Sequence, residues 1–392
     1  MHSVRRVLLV VGSIAALTAI AAPAAAQAPT ITEVVGGLDA PRGVAIGADG
    51  TIYIAEAGEG GTGPCVEHPE LGKICFGPTG GISAVTGGVA TRLVDGLASA
   101  VTATGDVIGP SDVTVDADGA VWFLVGGPGA GAADGRAGVP DGAAAGMGQL
   151  YQVDAYGDAQ SVADLAAYET ANNPDADQPG NAVPDSNANG VTATPDGAAV
   201  ADAGANSLLL VDGDGAISVA AVFPVVMMPM PVDPSASPDP AASADPAATP
   251  AMVPMDPTPT SVALGPDGAY YVGQLTGFPF PPGGASVFRV MPGEAPTVYA
   301  SGFTNVMDVA FGPDGTLYVL EIAHDGLLSA DPTAGPPQGG LWKVPAGGGT
   351  PELIVSEGLV MPGGMAVAED GTLYVSTCAV CVNGGSLVSL QP

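Results

Sequence analysis

The decapeptide VAFGPDGTLY at residues 309–318 recurs with variation as VAIGADGTIY (44–53), VTVDADGAVW (113–122), VTATPDGAAV (191–200), VALGPDGAYY (262–271) and MAVAEDGTLY (365–374). Each copy joins two short alternating apolar runs through an Asp-Gly turn, the pattern of a β-hairpin. Self-similarity of this kind marks a repeat architecture. One column is small, with Ala45, Thr114, Thr192, Ala263, Ala310 and Ala366, and five copies carry an aromatic residue after the turn: Tyr53, Trp122, Tyr271, Tyr318 and Tyr374. A unit narrow on one strand and bulky on the next is a wedge, and wedges set around an axis close into a ring of blades. The expected fold is all-β, a six-bladed β-propeller.

Further apolar runs complete the blades. Third strands are expected at 82–85, 150–153, 208–211, 287–290, 341–344 and 387–390, and fourth strands near Arg92, Val162, Val219, Val298 and Leu353. The sixth blade lacks a fourth strand of its own. Residues 31–35 supply it by pairing with the last blade, which leaves no sheet edge open.

Residues 1–26 carry Arg5 and Arg6, an apolar run and Ala24-Ala25-Ala26, the three-part pattern of a secretory signal. A membrane anchor is the alternative reading, but the apolar run is short for one. The propeller then occupies residues 27–392, and a secreted or periplasmic protein without a membrane span is expected. The formal net charge of −32 disfavours nucleic acid, because a polyanion meets mainly repulsion. The partner expected is a small molecule or an extracellular protein, and the chain is expected to be a monomer.

Long segments at 57–81, 126–148, 166–187, 224–258, 276–285, 322–340 and 378–385 all fall in links that emerge opposite the Asp-Gly turns. One face is decorated, which is how a rigid scaffold presents function. Residues 224–258, rich in Pro, Ala and Met, are expected to be a disordered insertion. Its MMPMP (227–231) and MVPM (252–255) motifs offer soft thioethers that suit Cu(I); plain compositional bias is the competing account.

The phrases GLDAPRGVAIGADGTIYIAEAGEGGTGPC (37–65), CFGPTGGIS (75–83), VADAGANSLLLVD (200–212), VGQLTGFPFP (272–281) and MPGGMAVAEDGTLYVSTCAVCVNGGSLVSL (361–390) resemble the ScyD/ScyE family of secreted, NHL-like propellers. Ser111 and Gln274 stand where that family commonly has His and Glu. The resemblance implies the fold and export, and no established reaction.

Four cysteines, Cys65, Cys75, Cys378 and Cys381, lie in the links of the first and last blades, which a closed ring makes neighbours. In an exported protein disulfides are the default. Cys65 with Cys75 and Cys378 with Cys381 is the pairing expected over the crossed ones; a zinc site of all four thiolates is the functional rival.

Second strands end at Glu56, near Asp202, at Gln274 and at Glu321, while first strands begin just after Arg42, Asp112, Asn189, Ser261 and Asp308. All are expected at the mouth of the central channel. Oxygen ligands converging there suit a hard cation such as Ca²⁺, with Glu56, Asp112, Asn189, Asp308 and Glu321 as the metal set and Arg42, Asp202 and Gln274 as further binding residues. Gluconolactonase-type propellers hold a metal in a similar ring. The competing account has these groups bonding the mouth backbone or pairing with Arg42. Residues 185–196, DSNANGVTATPD, match an EF-hand loop formally, but the repeated strand occupies them.

Beyond the signal the histidines are His68 and His324, too few for a three-His metal site, and no nucleophile elbow is present. Two function classes remain: a secreted binding or scaffold propeller, and a metal-assisted hydrolase or lactonase.

Overall fold

The computed structural model describes residues 29–68, 71–127, 142, 144–230, 251–328 and 335–392. Within them, strand β1 (Thr32–Leu38) precedes the first blade. That blade holds β2 (Pro41–Ile46), β3 (Ile52–Glu56), β4 (Cys65–His68), β5 (Gly72–Thr86), β6 (Val89–Val101) and β7 (Val107–Ile108). Blade two is β8 (Pro110–Val115), β9 (Val121–Val125), β10 (Gln149–Val153) and β11 (Ala159–Asp164), with helix α1 (Leu165–Asn172) directly after it. Blade three is β12 (Ala188–Thr194), β13 (Gly197–Asp202), β14 (Ser207–Asp212) and β15 (Ile217–Val222). A separate ribbon, β16 (Val226–Pro229) with β17 (Met252–Met255), leads to blade four: β18 (Pro259–Leu264), β19 (Tyr270–Gln274), β20 (Ala285–Val290) and β21 (Thr297–Phe303). Blade five is β22 (Val306–Phe311), β23 (Leu317–Glu321), β24 (Gly340–Val344) and β25 (Glu352–Val355). Blade six is β26 (Gly364–Val367), β27 (Leu373–Thr377) and β28 (Gly385–Leu390), and β1 pairs antiparallel with β28 as its fourth strand. The six-bladed propeller closed by its N-terminal strand is therefore the observed fold.

The Asp-Gly repeat works as a three-residue hairpin loop in five blades. In blade one Gly47 N–H donates to Thr51 O at 2.8 Å and Gly50 N–H to Gly47 O at 2.8 Å, a type I turn closed by a residue in the left-handed region. Gly50, Gly119, Gly268, Gly315 and Gly371 occupy that position with φ between 77° and 85°, which an L side chain tolerates poorly. The register then sets the small residue opposite the aromatic one: Ala45 faces Tyr53, Thr114 Trp122, Ala263 Tyr271, Ala310 Tyr318 and Ala366 Tyr374. Blade three has a tighter turn, with Thr194 opposite Gly197 and Thr192 opposite Ala199, so no aromatic faces its small residue.

Second strands are buried on both faces, which explains their near-continuous apolar runs. In β9, Phe123 packs toward blade one among Phe76, Ile82 and Val113, whereas Trp122 and Leu124 pack toward blade three among Val191, Val200 and Leu209. Equivalent apolar clusters fill the other four seams. The innermost strands pack in sequence around the axis: β2 on β8, β8 on β12, β12 on β18, β18 on β22, β22 on β26, and β26 back on β2.

Three features of the decorated face were not expected. Link 57–81 forms β4 and an extension of β5, and Cys65 lies opposite Cys75 in their ladder. Those two cysteines are joined as a disulfide, Cα–Cα 4.1 Å. Helix α1 interrupts link 166–187; Asp164 caps it by accepting from Ala167 N–H, and Asn173 ends it with φ 39°. The ends of the insertion at 224–258 pair as the β16–β17 ribbon, while residues 231–250 lie outside the described residues, as do residues 1–28 with the expected signal. No helix among the described residues is long and apolar enough to cross a membrane.

Candidate functional site

The residues that end the second strands do not reach the channel. Glu56 is buried at the end of β3, where it accepts from Asp39 N–H at 2.8 Å, from Arg92 Nη1 at 2.8 Å and from the Ser83 hydroxyl. Glu321, fully buried, accepts from Thr304 N–H at 2.6 Å and lies 2.6 Å from His324 Nδ1. Asp202 accepts from Asn187 N–H and the Ser186 hydroxyl, each at 2.7 Å, and from Gly204 and Ala205 N–H; burial raises its carboxyl above the usual range. Gln274 Oε1 accepts from Ser286 N–H at 3.2 Å. These four positions cap the backbone at the upper ends of their own blades. Only the innermost strands face the axis, so the expected convergence of Glu56, Asp202, Gln274 and Glu321 on the mouth does not occur.

The first-strand residues lie deeper and lace neighbouring blades together. Asp112 accepts from its own blade at Val113 N–H, 2.8 Å, and from blade three at Val191 N–H, 2.7 Å. Asp308 does the same with Val309 N–H at 2.7 Å and, in blade six, Met365 N–H at 2.6 Å. Asn189 Nδ2 donates to Thr260 O of blade four at 2.7 Å, and Ser376 Oγ, from the second strand of blade six, donates to Arg42 O of the first strand of blade one at 2.6 Å. Burial pushes the Asp308 carboxyl up to about 7, and burial together with the Asp308 charge lifts Asp112 well above the usual range.

No three His, Cys, Asp or Glu residues group to hold a metal ion among the described residues. The expected calcium set of Glu56, Asp112, Asn189, Asp308 and Glu321 is thus divided between blade-end caps and inter-blade seams, and the donors present do not fit one ion. The formal EF-hand match is likewise occupied by β12 from Ala188 onward. Cys378 and Cys381 lie across one turn, Cα–Cα 5.2 Å, within disulfide reach. They and Cys65 with Cys75 do not form one four-thiolate cluster.

Above the seams lies a cavity of about 790 Å³. Arg42, Ser111 and Asn189 reach it from the inner strands, and the links above supply Asp106, Asp175, Asn181, Asp185, Asn187 and Asp256. Arg42 Nη2 donates to Val107 O at 2.8 Å, while its Nε is buried without a hydrogen-bond partner. Burial lowers the Arg42 pKa and the nearby Asp106 charge raises it in part. At the opposite wall two amides join two carboxylates: Asn181 and Asn206 Nδ2 donate to Asp175 Oδ2 at 2.7 and 2.9 Å, and both reach Asp256 Oδ1 at 3.3 Å. Burial raises the Asp175 carboxyl. Behind it, buried Glu169 is pushed up to about 8 by burial and by Asp202, Asp175 and Asp185. Of the eight residues expected to form the site, Arg42 and Asn189 line this cavity. The acidic wall went unassigned because its members lie in aperiodic links, where the only signal was the length of the insertions.

These observations define a six-bladed β-propeller with a polar cavity over its axis. Across 93% of its length the chain is similar to a gluconolactonase from Xanthomonas campestris, at 12% identity and TM-score 0.52 with 89% of that chain covered. It is also similar to a Bacteroides thetaiotaomicron protein of unknown function, at 7% identity and TM-score 0.51 over 93% of this chain and 76% of that one. At such identities the likeness is one of fold. No protein-family model and no curated protein matches the chain.

Proposed function

We propose that the protein is an exported propeller, as the ScyD/ScyE resemblance implies, and that its mouth cavity binds a small polar organic molecule. The observation that carries this reading is Arg42, a guanidinium lining the cavity with its Nε unpartnered. A buried donor without a partner is costly, and a ligand carboxylate satisfies a guanidinium fork well. The acidic wall of Asp175 and Asp256 favours hydroxyl or ammonium groups at the other end of the ligand. Export is supported by the Cys65–Cys75 disulfide, since such bonds persist in oxidising compartments.

Titration calorimetry against aldonic acids, amino acids and uncharged sugars tests the reading. A carboxylate-bearing compound should bind, and Arg42→Gln should weaken it at least about tenfold, the loss of one charge-assisted bond. Equal binding of a neutral analogue, or of the variant, overturns it.

A second reading, lactone hydrolysis, follows the likeness in fold to the Xanthomonas campestris gluconolactonase; Asp308, raised to about 7 by burial in its inter-blade seam, is the carboxyl it would test as a general base. Because the expected Ca²⁺ ligands do not meet, no step of it is assigned to a metal. Turnover of a small lactone that disappears in Asp308→Asn supports this reading; its absence in the wild type removes it.

A further inference from the structure

The β16–β17 ribbon brings together two methionine motifs far apart in sequence. Its register sets Val226 opposite Met255, Met227 opposite Pro254, Met228 opposite Val253 and Pro229 opposite Met252. Met230 N–H donates to Ala251 O at 2.7 Å, extending the ladder by one pair. Opposed residues share a face and successive residues alternate. Met227, Pro229, Met252 and Pro254 therefore stand on one side, and Val226, Met228, Val253 and Met255 on the other.

On the first side Met227 and Met252 form a diagonal pair. Diagonal neighbours lie about 7–8 Å apart, a span that long side chains bridge. Both are open to solvent, Met227 at 44% and Met252 at 48% exposure, whereas Met255 is buried and anchors the ribbon. The residues facing the two thioethers are prolines, which offer no competing side-chain donor. Five of the chain's 11 methionines occupy this ribbon, yet the exposed pair adds nothing to any apolar cluster between the blades. No cysteine among the described residues is free, so thioethers are the soft donors left on this surface.

We propose that this side of the ribbon is a binding site for a soft monovalent cation of the Cu(I) and Ag(I) class, held between the Met227 and Met252 sulfurs. Neutral thioethers select soft ions over Ca²⁺, Mg²⁺ or Zn²⁺, and the strongly negative chain draws cations toward its surface. Met227 and Met252 are not among the residues that line the mouth cavity, and the site does not depend on the reading proposed for it.

The test is titration of the full chain with Ag(I) alone, followed by native mass spectrometry and by NMR of ¹³C-labelled methionine methyls. One ion per chain should bind, with the largest shifts at Met227 and Met252, and excess Ca²⁺ or Zn²⁺ should leave it in place. Met227→Leu/Met252→Leu, which nearly conserves volume, should weaken uptake at least about a hundredfold with an unchanged melting temperature. Met228→Leu/Met230→Leu should retain it. No uptake by the wild type, equal uptake by the first variant, or displacement by Zn²⁺ overturns the proposal.

Discussion

Asp112 and Asp308 stand on the inner strands of opposite blades, two and five, and each carboxylate holds the next blade through one backbone N–H: Val191 at 2.7 Å and Met365 at 2.6 Å. The pair is thus both a seam and a source of strain. Each group accepts hydrogen bonds that favour its ionised form, yet burial outweighs these at Asp308, and burial together with the Asp308 charge outweighs them at Asp112, so both pKa values are raised.

A group whose carboxyl is raised in the folded state binds its proton more tightly there than in the unfolded chain. Its contribution to stability is full below the ordinary value of 3.8 and is lost as pH rises through about 7. Turn carboxylates such as Asp49, Asp314 and Asp370, lowered by the N–H groups of Thr51, Thr316 and Thr372, act with the opposite sign at lower pH. Comparison with a variant isolates the channel. Asp308→Asn should melt with a flatter pH profile between about pH 4 and 7, the curves diverging by at least about 2 °C. Parallel profiles would show that Asp308 carries no such proton.

The blade-end carboxylates give a second prediction. Glu321 satisfies the buried Thr304 N–H and faces His324, so Glu321→Ala strands a donor. The expected loss is about 2–4 kcal/mol in urea unfolding, equal with and without millimolar Ca²⁺. A loss that appears only with calcium present would restore Glu321 as a metal ligand.

Ring closure gives a third. Strand β1 pairs with β28 from Thr32 opposite Ser389 to Leu38 opposite Gly385, and Leu38 is buried in the seam between blades six and one. Deleting residues 29–36 should bare the outer edge of β28, lower the melting temperature by several degrees and drive association through that edge. A truncated chain that melts like the wild type and sediments as the wild type does would contradict the closure.

The blades were legible in the sequence because an Asp-Gly turn and a two-residue period are local signals. The shorter turn of blade three was not read, although Val200 stands where the other copies carry an aromatic. Helix α1 escaped notice because its eight residues follow β11 without a break. The β16–β17 ribbon escaped because proline argues against strands and its partners are remote in the chain. Site residues were harder still. Glu56 and Arg42 lie near the same end of one blade, yet a strand-end side chain that turns toward its own link and one that lines the axis differ only in three dimensions.

Joining the first strand to the last has a temporal consequence. As the chain is synthesised, blades one to five can stack in order of emergence, each burying its neighbour's seam. The sixth sheet must wait for residues near Leu390 to meet β1, and until then one apolar flank of blade one and one of blade five stay uncovered. The nascent chain therefore passes through an open arc, and the final step is a long-range encounter between β1 and β28, a kind of contact that is intrinsically slow to form.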